Sequence, residues 1–122
     1  MSSGTDGGAE QAAVEAAEAW LALVDAGRYE ESWEQASGYL KSVVGKDQFV
    51  QSLRATLPPF GEVESRELQS RQYATSLPGA PDGEYVVLQY RSSFAHKESA
   101  VETITPMRDE DGTWRISGYY IK

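Results

Sequence analysis

The chain holds one histidine, His96, and no cysteine, and these two facts decide much of the chemistry open to it. A Ser–His–Asp relay needs its imidazole beside a nucleophile. Zinc sites need thiolates or several imidazoles, and those ligands are missing. His96 lies between Ala95 and Lys97, where a strand is expected to end. It reads first as an exposed strand-end residue and second as a polar contact in a ligand pocket. Carboxylates offer another route, because a carboxylate base inside a fold, facing hydroxyl donors, can abstract a proton next to a carbonyl. The aspartates Asp6, Asp25, Asp47, Asp82, Asp109 and Asp111 all fall in a leader, a helix terminus or a turn. Glu102 is the one glutamate near the middle of a well-defined strand. Its neighbour Val101 points the opposite way, so Glu102 is expected on the solvent face, paired with Arg91 or Arg115. No residue is assigned a catalytic role. No phosphate-cradling glycine loop, nucleophile elbow or metal-ligand motif is present, so no metal and no cofactor is implied.

The aromatic residues are the remaining candidates. Trp20, Trp33, Tyr73, Tyr90, Tyr119 and Tyr120 can line a pocket in which Arg71 or Arg91 anchors an anion. The candidate ligand-binding set is therefore Trp33, Arg71, Tyr73, Tyr90, Arg91 and Tyr119. Aromatics at helical and strand spacing are more often plain core.

Composition limits the partners. The net charge of −8 is unevenly spread: residues 1–37 carry eight acids against Arg28, a net of −7, and the rest of the chain a net of −1. Nucleic-acid backbones and anionic membranes demand clustered Lys and Arg, so neither is an expected partner. No stretch approaches the roughly 18–20 apolar residues of a membrane span, and membrane insertion is not expected. The N-terminus shows no basic region followed by an apolar run. Residues 1–8 are small and polar and read as a disordered leader or linker, with residues 9–122 as a single domain. A removed signal peptide would leave the same appearance, so a periplasmic or exported location and a cytoplasmic one both stay open.

The elements that must position these residues follow from periodicity. Ala9–Ala26 reads as a helix: Val14, Ala17, Leu21 and Val24 recur at spacings 3, 4 and 3, and Gly27 ends it. A second helix carries Tyr29, Trp33, Ala36 and Leu40, with a break at Gly38 where it ends or bends into a short turn. A third runs from about Lys46 to Thr56, stopped by Pro58-Pro59. The pattern then changes to strands. Glu62–Leu77 reads as a half-exposed edge strand needing a bulge, because Val63, Tyr73 and Leu77 share a parity that Leu68 does not. After the turn-rich Pro78–Gly83 comes Tyr85–Phe94, expected as a central strand with Val86, Leu88, Tyr90 and Phe94 inward. Tyr85, Val87, Gln89 and Arg91 fall on its other face. Ser99–Met107 and Thr113–Ile121 complete a meander, with Gly118 marking a bulge that turns Tyr119 and Ile121 inward. The expected class is α+β: three N-terminal helices packed on a curved four-stranded antiparallel sheet. That order matches the cone of the cystatin-like or nuclear-transport-factor-2-like superfold.

Particular stretches carry a closer likeness. They are Ala19–Tyr29 with Ser32-Trp33, then Tyr73–Val87, Ala100–Met107 and Gly112–Ile121. Together they resemble the bacterial family known as domain of unknown function 4019. The resemblance implies a small bacterial domain, often exported, and supplies no activity and no catalytic residues. The expected function is a non-catalytic binding or interaction module of the cell envelope. Its partner would be a protein or a small molecule not identified by the sequence, or a second copy in a homodimer through the sheet's outer face. The alternative is a small-molecule enzyme or ligand-binding sensor in the cone, using Glu102 or His96 with a tyrosine.

Overall fold

In the computed structural model, which describes residues 3–122, one antiparallel sheet carries four strands in the order of the chain. They are β1 (Val63–Ala74), β2 (Tyr85–Phe94), β3 (Lys97–Arg108) and β4 (Trp114–Ile121). Their side chains alternate between a helix-covered face and an open one, as the pleat demands. On β2 the covered face takes Val86, Leu88, Tyr90, Ser92 and Phe94, all buried. β1 keeps an inward stripe by slipping register twice, between Val63 and Ser65 and between Leu68 and Ser70, which supplies the irregularity its mixed parity requires. Another slip, opposite Thr105 and Pro106, leaves Ser117 as the extra residue of β4. Trp114 and Ile116 point inward before it, Tyr119 and Ile121 after it, so the change of face falls one residue before Gly118.

The helices cover one sheet face. α1 (Ser3–Asp25) crosses all four strands and buries Ala13, Ala17, Trp20, Leu21 and Val24 against Leu88, Tyr90, Ile104 and Ile116. Its end is a Schellman turn: the Gly27 amide donates to the Val24 carbonyl and the Arg28 amide to Leu23, with Gly27 at φ 75°. The helical layer is completed by α2 (Tyr29–Glu34), α3 (Gly38–Val43), α4 (Lys46–Thr56) and a 3-10 turn at Pro58–Phe60.

Three expectations need correction. The helical layer has four α-helices among the described residues, not three. The second expected helix is divided at Ser37, whose Oγ accepts from the Leu40 amide and caps α3 while its own amide donates to the Ile116 carbonyl of β4. The first helix begins at Ser3, ahead of Ala9; Met1 and Ser2 of the expected leader lie outside the described residues. Finally, Tyr85 is not free on the outer face. It is fully buried beneath loop 75–84, donates its hydroxyl to the Pro81 carbonyl, and its phenol pKa is raised, chiefly by that burial.

Candidate functional site

The polar interior is built on β3. Ala100, Glu102, Ile104 and Pro106 share one parity and are all buried, so Glu102 turns toward the helices with only 1% of its surface exposed. Glu102 therefore does not sit on the solvent face and does not pair with Arg91 or Arg115. Its partner is Arg66, on the inward stripe of β1 two residues before Leu68. Arg66 Nε lies 2.7 Å from Glu102 Oε1 and its Nη2 3.3 Å from Oε2. The far side of the same guanidinium holds Asp25, in the last turn of α1, at 2.9 and 3.1 Å. An acid at a helix C-terminus opposes the macrodipole, and α1 has no basic residue in its last turn. Arg66 supplies the missing cation.

Two hydroxyls complete the network. Ser92 Oγ on β2 donates to Glu102 Oε1 at 2.6 Å, and Tyr119 Oη on β4 donates to Oε2. A carboxylate has about four lone-pair positions. Those of Glu102 face Arg66 twice, Ser92 once and Tyr119 once. This is the pairing and hydrogen bonding that a charge in this position needs to offset its desolvation. Burial, then the Glu102 charge and the hydrogen bond to it, hold the Tyr119 phenol well above its ordinary pKa. Burial opposes the Arg66 charge, but the hydrogen bonds to Asp25 and Glu102 outweigh it and hold the guanidinium pKa above its usual value.

Cavities flank the network. One of about 120 Å³ is lined by Asp25, Glu102 and Tyr119 together with Tyr29, Glu62 and Phe94. A cleft of about 220 Å³ lies between Arg66 and Tyr90 below and Glu18, Leu21, Ala22 and Asp25 of α1 above. A broader groove of about 720 Å³ is lined in part by Tyr39, Pro81, Met107 and the β3–β4 turn. Its arginines are already paired, Arg108 with Glu84 and Arg115 with Asp109 and Asp111. No group of three or more potential metal-ligating side chains is assembled among the described residues.

Of the candidate ligand residues, the structure brings Tyr90 and Tyr119 together around Glu102. Trp33 stands at the α2–α3 corner, its indole donating to the Val44 carbonyl and Lys41 lying 5.8 Å over its ring. Arg71 is exposed on β1, 4.0 Å from Glu10. Tyr73 donates to Glu84 at 3.2 Å, and Arg91 lies on the open sheet face opposite Glu67. His96 is exposed in the β2–β3 turn, its amide donating to the Phe60 carbonyl. The residues missed were Arg66, Asp25 and Ser92. The signal for Glu102 was its shared parity with Ile104.

The fold and site define a small α+β domain whose interior carries one saturated ionic network under a layer of helices. Residues 16–119 match the model of the family described as protein of unknown function (DUF4019), and the chain belongs to that family. No curated protein matches it. Among the described residues, no helix is long and apolar enough to cross a membrane.

Proposed function

We propose that this domain is a non-catalytic interaction module whose working surface is the outer face of its sheet, and that the face meets a second copy of the chain. The observation that carries this reading is the exposure of two large apolar side chains on that face. Val101 is 40% exposed and Tyr120 59%, on the adjacent strands β3 and β4. Gln89, Thr103 and Arg91 surround them, with Arg91 opposite Glu67 across the strands. Charge selects the partner. The first 37 residues carry a net of −7, so two copies repel through their leading helices and approach most cheaply sheet to sheet. The cone-shaped superfold is consistent with an open sheet of this kind, and the family resemblance supports an exported setting beside a cytoplasmic alternative.

The enzyme reading has one observation in its favour, a cavity that Glu102 helps to line. Against it stands the occupation of Glu102 by four donor contacts, which leaves a substrate proton no lone pair to reach. Sedimentation velocity at micromolar concentration tests the reading. A species of twice 13.4 kDa is expected, and a 13.4 kDa species alone would sink it.

A further inference from the structure

We propose that the groove between α1, the α2–α3 corner and the start of β4 binds a neutral, planar heteroaromatic molecule that carries a hydrogen-bond acceptor. The groove holds about 370 Å³, within the roughly 300–1,000 Å³ of small-molecule sites. Ala16, Ala19, Trp20 and Leu23 of α1 line one side of it, and Trp114 of β4 lines another. Trp114 differs from the other two tryptophans of the chain. Trp20 donates its indole N–H to the Ser32 carbonyl at 2.8 Å, and Trp33 to the Val44 carbonyl at 3.0 Å. Trp114 is half-buried, and its N–H has no partner among the described residues. That N–H is not shut away from solvent, because the buried side-chain polar atom left unpaired there is the Tyr90 hydroxyl. One residue thus brings an aromatic surface and a free, reachable donor to the same groove.

The charged groups on the rim are engaged. Glu31 accepts from Arg28 with both oxygens, and Arg115 is held by Asp109 and Asp111. An anion would therefore find no free cation, and it would enter beside Glu31 in the part of the chain that carries a net of −7. An ammonium group would meet a carboxylate already paired and has no lone pair for the indole donor. A saturated hydrocarbon would cover the apolar wall but strip the N–H of its water and return nothing. A neutral ring with an in-plane acceptor covers Ala16, Ala19 and Leu23, packs on the Trp114 ring and accepts from its N–H. The volume equals roughly twelve waters at about 30 Å³ each, room for a two-ring molecule. This site lies on the helix-covered side of the sheet, so it is separate from the outer face that meets a second copy.

The test is a chemical-shift titration of the full chain with quinoline, uncharged at neutral pH, run beside sodium 2-naphthoate, an anion of the same ring size. Quinoline is expected to move the Trp114 indole N–H resonance saturably, with the amides of Ala19 and Leu23, and to leave the bonded N–H resonances of Trp20 and Trp33 in place. Naphthoate should give no saturating shift. Trp114→Phe keeps a ring and removes the donor, and should weaken the apparent affinity by about fivefold, the worth of roughly one hydrogen bond. Ala19→Leu fills the groove from an exposed helix position, so the chain should stay folded and lose the response. Absence of saturation overturns the proposal, as does an equal response to naphthoate or an undiminished one in Trp114→Phe or Ala19→Leu. A Trp114 indole resonance that shifts on dilution of the ligand-free chain would also overturn it, assigning the groove to a second copy.

Discussion

At the residue scale the molecule turns on one buried carboxylate. Glu102 is held by a cation and two hydroxyls from three other strands, and Arg66 relays that charge to the end of α1. Removing one partner of a buried pair costs more than removing both, because the survivor is left charged and dry. Arg66→Ala is therefore expected to destabilise the fold by about 3–5 kcal/mol in urea unfolding, and Arg66→Met with Glu102→Leu to recover much of that loss. An Arg66→Ala cost near zero would mean the network is not holding the charge. The phenols give a pH signature. Tyr90 and Tyr119 both have folded pKa values above the ordinary value of about 10, so the unfolded chain loses their protons first. Their contribution is complete below about pH 10 and is lost as pH rises, through about 12 for Tyr90 and beyond that for Tyr119. Thermal melts between pH 8 and 12 should show Tm falling above 10, with a shallower fall in Tyr90→Phe.

At the element scale, two connections decide whether sheet and helices meet correctly. Ser37 is fully buried, caps α3 and ties it to β4, so Ser37→Ala should cost about 1 kcal/mol or more, readable as a lower urea midpoint. Gly61 leads from the 3-10 turn into β1 at φ 81°, and a Cβ there would lie 2.8 Å from the His96 ring and 2.9 Å from Ala95 Cβ. Gly61→Ala should therefore destabilise by more than the roughly 1 kcal/mol typical of a left-handed position alone. The strands were legible in advance because period-2 alternation and turn residues are local signals. Tyr85–Phe94 has the bounds expected from its β-prone run, and the parity conflict at Leu68 marked a real bulge. The break at Gly38 was legible, but a separate helix over Gly38–Val43 was not, because its start rests on Ser37 bonding to a strand far along the chain. The orientation of Glu102 was misread because a charged residue beside a valine suggests valine inward. Cross-strand partners on β1, β2 and β4 reversed that choice, and no window around residue 102 contains them.

At the scale of the whole molecule, the negative charge gathers at the leading helices, while two of the three exposed large apolar side chains among the described residues share the open sheet face and the third, Val43, is on α3. The leading helices carry most of the negative charge, and the open sheet face carries Val101 and Tyr120 with few charges of its own. Single exposed apolar residues are common on monomers, but two on adjacent strands of an uncovered sheet form the start of a patch. On the proposed sheet-to-sheet dimer, Tyr120→Glu should weaken self-association by at least about tenfold, since it would place a desolvated charge in the contact, while leaving Tm at low concentration nearly unchanged. The most direct measurement is a dilution series of amide spectra of the wild-type chain. Concentration-dependent shifts confined to Gln89, Arg91, Val101, Thr103 and Tyr120 are the predicted result. Shifts that fall on α1 instead, or spectra that do not change with concentration, would contradict the account.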